Sequence, residues 1–212
     1  MKSLQINDVK ISWLGHASFR IEHDGKILYI DPYKIKKGPK ADVILSTHGH
    51  YDHCSIGDIA KLIKEKTEIF VTTDSTSKIS HKIEGGNSHI VKPGETYELD
   101  WVKIGTVPAY NINKQFHPRD NLWVGYIMII NGIRIYHAGD TDIIPEMKKI
   151  KADIVMVPVG GTYTMDAKQA AEAVNTIMPK LAIPMHYGSI VGTNTDAEKF
   201  KQLCKVPVRI LD

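Results

Sequence analysis

The chain has 212 residues and a formal net charge of +3, which is enough length for one large domain or two small ones with a sizeable core. Its 42% of hydrophobic and 24% of charged residues exclude an intrinsically disordered protein. The basic residues are scattered along the chain, which argues against a dedicated nucleic-acid-binding protein. The two cysteines, Cys54 and Cys204, cannot build a disulfide framework and favour a reduced, cytoplasmic location.

The N-terminal residues lack the apolar region of a signal peptide. No stretch of the sequence reaches the roughly 18 apolar residues of a membrane span. We therefore expect a soluble, cytoplasmic protein that does not act at membranes. A homo-oligomer is compatible with the sequence.

The first half of the chain predicts strands followed by a helix. Short β-branched runs at 11–15, 18–23, 26–31, 42–47 and 68–73 predict strands, and "HDGK" predicts a tight turn. Apolar residues at helical spacing predict a helix over 55–66, with Ser55 as N-cap and Asp58 completing a capping box. The turn-rich segment 85–95 predicts a connector before further strands within 97–110.

The second half repeats this order at an offset of about 110 residues. "GYIMIINGIRIYHAGDT" repeats the strand–turn–strand pattern, and "ADIVMVPVGGTYTMDAKQAAEAV" repeats the strand, loop and helix. The offset aligns Asp31 with Asp140 and Asp42 with Asp153. We therefore predict a single domain over residues 1–212, built from two similar halves, 1–105 and 106–212, whose loops converge on one site.

A dense group of polar residues directly follows the strand at 42–47. His48 and His50 are two residues apart, so at a strand end they point the same way. The following turn lets Asp52 and His53 approach from another direction. Imidazole and carboxylate groups bind zinc, manganese and iron. The spacing favours a metal site over the alternative, a polar surface turn.

The H-x-H-x-D-H stretch, "HAGDT" and "IPMHYG" resemble the metallo-β-lactamase superfamily. "WLGHASF", "IDPY" and "PVGGTYTMDAKQAA" are similar to its branch of compact hydrolases that includes L-ascorbate-6-phosphate lactonase. N-acyl-phosphatidylethanolamine phospholipase D is a larger relative of that branch. The resemblance covers nearly the whole chain and implies an α+β fold, a four-layer αββα sandwich with a two-metal site at one edge.

The resemblance implies metal ligands from both halves of the chain: His48, His50, Asp52, His53, His117, Asp140 and His186. The first two histidines would bind the first ion, and Asp52 and His53 the second. Asp140 would bridge both ions, and His186 would complete the second site.

The position where relatives often have a further histidine ligand is Asn111, and asparagine is a poor ligand for zinc. Either the first metal site is weakened, or His117 replaces the missing ligand. We favour His117; the alternative is that it lies in a polar surface loop.

Other residues are expected to surround the ions. Asp31 and His16 would hold the ligating histidines, since metal-bound imidazole usually donates its second ring nitrogen to an acceptor. His137 would do the same or simply pack, and Cys54 is not expected to be a ligand. Several loop residues are candidates for substrate contact, with a plain loop position as the alternative for each: Tyr110, Lys114, Tyr163, Thr164 and Asp166.

These expectations combine into a hydrolase with two divalent ions, zinc being favoured and manganese or iron being the alternatives. A hydroxide that bridges the metals would attack a small carbonyl or phosphoryl compound, with a lactone favoured. Asp140 would bridge the ions and Asp52 would accept a proton as general base. One alternative is a phosphodiesterase acting on nucleotides or lipid head groups. A non-catalytic metal-binding protein, which Asn111 supports, is the other.

Overall fold

The computed structural model describes residues 3–212, apart from the side chain of residue 82. These residues form two compact units. The first unit runs to Lys92 and includes Leu211–Asp212, and the second spans Pro93–Ile210. Each unit contains one mixed sheet. None of the helices in the described part of the chain combines the length and hydropathy that a membrane span requires.

The first sheet has seven strands that are neighbours in chain order. They are β1 (Ser3–Ile6), β2 (Val9–Gly15), β3 (Ser18–His23), β4 (Lys26–Ile30), β5 (Val43–Leu45), β6 (Glu68–Thr72) and β7 (Asn87–Val91). The first four pair antiparallel, and β4 to β7 pair parallel. Asp24 and Gly25 both have positive φ in the predicted tight turn, which is the turn geometry that joins twisted strands.

Two helices belong to the first unit, α1 (Ile56–Leu62) and α2 (Thr76–Lys82). Ile59 and Leu62 of α1 pack in a buried cluster with Ile44 and Ile69 of the sheet. The predicted capping box is wrong, because the Ser55 side chain makes no capping bond. The Ser55 hydroxyl instead donates to the Asp58 carboxylate at 2.8 Å.

The second sheet has six strands, with the order β13-β12-β11-β10-β9-β8. They are β8 (Thr96–Leu99), β9 (Val102–Pro108), β10 (Val124–Ile130), β11 (Ile133–His137), β12 (Ile154–Pro158) and β13 (Leu181–Met185). Strands β8 to β11 pair antiparallel, and β11 to β13 pair parallel. The helices of this unit are α3 (Ala167–Ile177) and α4 (Asn194–Leu203). A complete capping box begins α3, and at the start of α4 the Asp196 carboxylate accepts from the Thr193 N–H at 2.8 Å.

The two units repeat one local arrangement at the start of a buried strand. Asp42 Oδ2 accepts from the Ile27 N–H at 2.9 Å, and Asp153 Oδ2 accepts from the Arg134 N–H at 2.8 Å. The backbone N–H groups of both aspartates donate back to the same two residues. The alignment of Asp42 with Asp153 is therefore supported by matching hydrogen bonds.

The other predicted alignment, of Asp31 with Asp140, is wrong by two residues. The Asp31 N–H donates to the Leu45 carbonyl, and the equivalent bond in the second unit runs from the Ala138 N–H to the Met156 carbonyl. Asp31 therefore corresponds to Ala138, and Asp140 lies further along the loop after β11.

The segment 85–95, predicted as a connector, contains strand β7. This strand pairs parallel with β6, from Asn87 opposite Glu68 to Val91 opposite Thr72. It lies at the edge of its sheet. Most of its residues are partly or fully exposed. Its sequence lacks the continuous apolar run that identifies buried parallel strands, and for this reason it was not predicted as a strand.

Candidate metal centre

The loop after β5 gathers imidazole and carboxylate groups in the first unit. His48 Nε2 lies 2.9 Å from His50 Nδ1, and His53 Nε2 lies 3.4 Å from Asp52 Oδ2. His16 Nε2 lies 2.9 Å from the same Asp52 oxygen. We call these five residues, His16, His48, His50, Asp52 and His53, the first donor cluster. Donor atoms of His16, Asp52 and His53 lie within 4.8 Å of one another.

Gly49 allows the backbone between the two histidines to lie close to another loop. Its N–H donates to Asp74 Oδ2 at 3.1 Å, and its carbonyl accepts from Lys78 Nζ at 2.6 Å. A Cβ at this position would lie 2.2 Å from the Asp74 oxygen, so a larger residue would have to displace the carboxylate that accepts from this N–H. Asp74 and Lys78 were missed by the sequence analysis, and the glycine between His48 and His50 was the one available signal.

Asp31 orients two of the histidines. Its fully buried carboxylate accepts from the Thr47 N–H and hydroxyl at 2.8 Å each and from His53 Nδ1 at 2.7 Å. Because a carboxylate only accepts, Nδ1 of His53 carries a proton, which leaves Nε2, on the side of Asp52, as the ring atom available to a metal ion. The Thr47 hydroxyl donates to Asp31 and therefore accepts from His48 Nδ1, at 3.0 Å. Asp31 therefore contacts His53 through Nδ1, the ring nitrogen that does not face Asp52; that it orients a metal ligand stays a prediction.

The backbone is strained at three of the predicted residues. His16, Asp31 and His186 have φ values of 54°, 46° and 60°, in the left-handed region that costs a non-glycine residue roughly 1–2 kcal/mol. His16 follows an irregularity in the β2–β3 pairing, and its carbonyl accepts from Trp13 Nε1 at 2.8 Å. Strain of this kind concentrates at functional sites.

The second unit contains a compact His–Asp–His arrangement. His117 Nε2 and His186 Nε2 lie 3.2 Å and 3.1 Å from the same oxygen, Asp140 Oδ2. We call these residues the second donor cluster, and all three are at most 4% exposed. Asp140 follows β11 and His186 follows β13, so both lie at the carboxyl ends of strands. Gly160 lies against His186, since a Cβ there would be 2.4 Å from the His186 carbonyl oxygen.

Asn111 determines the tautomer of His117. The Asn111 Nδ2 donates to the Tyr163 carbonyl at 3.0 Å, and its Oδ1 accepts from the His117 N–H at 3.0 Å, which fixes the amide orientation. His117 Nδ1 lies 3.0 Å from the same Oδ1 and 3.2 Å from the Tyr163 carbonyl. Both neighbours are acceptors, so Nδ1 carries a proton, which leaves Nε2, on the side of Asp140, as the ring atom available to a metal ion. The Asn111 amide is therefore bonded to His117 and to the Tyr163 carbonyl, and its contacts position the His117 ring.

Two of the predicted substrate residues have other roles in the structure. Lys114 Nζ forms an ion pair with the buried Asp142 and donates to the Thr164 carbonyl at 3.0 Å, so its charge is neutralised. Asp142, which the sequence analysis missed, also accepts from the Ile112 N–H at 3.0 Å. Thr164 is fully buried. The geometry does not favour direct substrate contact by Lys114 or Thr164.

Tyr110 and Tyr163 differ in how their rings are placed. The Tyr110 hydroxyl donates to Glu146 Oε2 at 3.0 Å, and burial together with Glu146 raises the pKa of Tyr110. The Tyr163 ring is partly exposed and meets Phe116 edge-on, with ring centroids 4.7 Å apart. Asp166 forms the N-cap of α3.

The two remaining candidates lie inside the units. His137 is fully buried, and its Nδ1 accepts from the Gly139 N–H at 3.2 Å. Cys54 is buried within the hydrophobic cluster of the first unit. Burial raises the pKa of its thiol, so the thiolate that a metal ligand needs is disfavoured.

The donor atoms suit a divalent cation. Two acceptors such as the His117 Nε2 lone pair and Asp140 Oδ2 repel each other unless a positive charge, from a proton or a metal ion, lies between them. Two ligands bound about 2.1 Å from one tetrahedral ion are roughly 3.4 Å apart. The distances within the clusters run from 2.9 to 3.4 Å, and the longest of them is close to that value.

Comparisons with known proteins give a consistent family. The sequence model of the Beta-lactamase superfamily domain matches residues 10–186. A UPF0173 metal-dependent hydrolase of Methanopyrus kandleri is 33% identical over 211 residues, which cover 92% of this chain and 90% of the relative. A relative of the same name in Thermoplasma volcanium is 37% identical over 209 residues, which cover 92% of this chain and 91% of the relative.

Solved structures agree with these sequence relatives. A candidate metal-dependent hydrolase from Parabacteroides distasonis has 35% identity and a TM-score of 0.86, over 99% of this chain and 96% of its own. A metallo hydrolase of Ignicoccus hospitalis has 26% identity and a TM-score of 0.77, over 96% of this chain and 95% of its own.

Proposed function

Because the chain belongs to the metallo-β-lactamase superfamily and is a metal-dependent hydrolase, we propose that its two donor clusters together form one binuclear metal centre. This membership confirms the predicted superfamily, its α+β fold and the enzyme class. The alternative of a non-catalytic metal-binding protein is therefore dropped. The similarity to L-ascorbate-6-phosphate lactonase stays a prediction.

One observation carries the proposal. In both donor clusters a hydrogen bond from Nδ1 of an imidazole ring fixes the ring so that its other nitrogen, Nε2, faces a carboxylate. Asp31 does this for His53, and Asn111 does it for His117. A structural histidine needs only one good partner, whereas a ligand needs a fixed tautomer and an exposed lone pair facing the ion. Neutral imidazoles and carboxylates fit zinc first, with manganese or iron as alternatives.

When bound, two divalent ions would acidify a water molecule and polarise the bond under attack. Asp140 would contribute its carboxylate to both ions. The Asp52 carboxylate would orient the water and accept its proton, since it is 7% exposed and is held by His16 at 2.9 Å.

The substrate we propose is a small carbonyl or phosphoryl compound, with a lactone favoured by the sequence resemblance. A phosphodiester of a nucleotide or lipid head group is the alternative, because the same donor set would serve either reaction. Lys114 does not support recognition of an anionic group, since Asp142 neutralises it.

Hydrolysis assays on reconstituted protein test the function. The purified chain would be stripped with a chelator, reloaded separately with zinc, manganese or iron(II), and assayed on matched lactones, carboxylic esters and phosphodiesters. We expect metal-dependent turnover that is lost in His186→Ala and retained in His81→Ala, a change at an exposed histidine of α2. Turnover of phosphodiesters alone would favour the alternative substrate. Full activity without metal, or in His186→Ala, would contradict the proposal.

A further inference from the structure

The loop between β9 and β10 is closed next to the second donor cluster. The Asn111 N–H donates to the His117 carbonyl at 2.7 Å, and the His117 N–H donates back to Asn111 Oδ1 at 3.0 Å. These two bonds make 112–116 the tip of a short closed loop. The tip is also tied to the rest of its unit, because Asp142 accepts from the Ile112 N–H and pairs with Lys114.

Two large apolar side chains on this tip are exposed. Ile112 and Phe116 are 54% and 47% exposed, although the hydrogen bonds between Asn111 and His117 close the loop that carries them. Phe116 meets the partly exposed Tyr163 ring edge-on at 89°. We call Ile112, Phe116 and Tyr163 the apolar rim.

The apolar rim is joined directly to a ligand candidate. Phe116 precedes His117 in the chain, and the Tyr163 carbonyl lies 3.2 Å from His117 Nδ1. Exposed apolar groups on a well-fixed loop contribute little to folding, and they gain free energy only when another molecule covers them. Aromatic pairs arranged edge-to-face present a rigid apolar surface.

From this juxtaposition we propose that the apolar rim binds the apolar part of the substrate, an alkyl or aryl group attached next to the bond that is hydrolysed. This inference rests on the proposed function and names the substrate class as apolar acyl or aryl compounds, rather than highly polar sugars or nucleotides. Phe116 is then a specificity-determining residue that takes no part in the chemical step.

Calorimetry measures how tightly the zinc-loaded protein binds straight-chain carboxylates, from acetate to octanoate. This experiment tests the role of the rim without requiring turnover. A fully buried methylene strengthens binding about fourfold, so a partly open rim predicts roughly twofold per methylene. We expect Phe116→Ala to flatten this dependence on chain length and Phe116→Leu to retain most of it. Leu122→Ala is the matched control, because Leu122 is 52% exposed on the same loop but lies outside its closed part.

The outcomes separate this inference from the proposed function. Affinity that does not change with chain length, an unchanged slope in Phe116→Ala, or no binding by any carboxylate would overturn the role of the rim. A chain-length dependence that Phe116→Ala removes would support it, even if the hydrolysis assays showed no turnover and the proposed function failed.

Discussion

Replacing Asp31 by asparagine keeps the size of a fully buried side chain and changes its hydrogen-bonding capacity. Asp31 accepts three hydrogen bonds, two from Thr47 and one from His53 Nδ1. An amide has one acceptor oxygen and a donating NH2 group. If the oxygen faces the Thr47 N–H, the NH2 group faces His53 Nδ1, and the imidazole proton must move to Nε2. A neutral His53 then carries its proton on Nε2, the atom that would bind the metal ion.

The magnitude of the effect follows from these contacts. The amide leaves at least one buried donor without an acceptor, which costs about 1–3 kcal/mol. It also weakens bonds to a charged acceptor, each contributing about 1.5–3 kcal/mol. We therefore expect Asp31→Asn to lower the free energy of unfolding of the metal-free protein by roughly 2–4 kcal/mol. Loss of a residue that orients a metal ligand lowers metal affinity about 10–100-fold.

Two measurements check this prediction. Thermal unfolding of the metal-free protein gives the stability, and competition with a chromophoric chelator gives the zinc affinity. Asp42→Asn is the control, because Asp42 also accepts a backbone hydrogen bond but lies at the opposite end of β5 from the histidine loop. We expect the control to lose stability and keep its zinc affinity. Zinc affinity equal to wild type in Asp31→Asn would refute the orientation of His53 by Asp31.

Gly160→Ala would place a methyl group 2.4 Å from the His186 carbonyl oxygen, so we expect lower thermal stability and about tenfold weaker zinc binding in the same competition assay. Gly57→Ala, where no atom lies within 4 Å of the added Cβ, should leave zinc binding unchanged and thermal stability unchanged or slightly higher. Equal behaviour of the two variants would contradict the role of Gly160 in placing His186. Burial raises the pKa of Asp58, but hydrogen bonds from Lys61, from Ser55 and from a backbone N–H outweigh it and hold the pKa below its ordinary value of 3.8. The stability from Asp58 is therefore present above that value and is lost as the pH falls through the folded-state pKa. The melting temperature of wild type should fall more steeply below about pH 4 than that of Asp58→Asn. Parallel curves of melting temperature against pH would refute this contribution of Asp58.

Strands with strong local signals could be predicted from the sequence. Strand β3 has the predicted bounds, and the two-residue turn before β4 lies at "HDGK". Strand β7 could not be predicted, since its pairing with β6 and not its own composition makes it a strand. Helices α2 and α4 were also missed, because α2 is short and α4 is largely exposed.

The donor residues could be found from the sequence, but their supporting contacts could not. The spacing around His48 identified a cluster within one loop. Asp74 and Lys78, which hold Gly49, lie 25 and 29 residues away from it in the chain. Asn111 was interpreted only as the position of a lost ligand. Its contact with His117 could not be predicted, because the orientation of its amide depends on the Tyr163 carbonyl, which is distant in the chain. Such contacts depend on the folded backbone and carry no local pattern.

The most direct test of the binuclear centre is the metal content of the purified protein, measured by elemental analysis after zinc loading and removal of excess metal. We predict about two ions per chain for wild type and about one for His117→Ala, since only the first metal site loses a ligand. One ion or none in wild type would contradict the binuclear centre, and two ions in His117→Ala would contradict the assignment of His117.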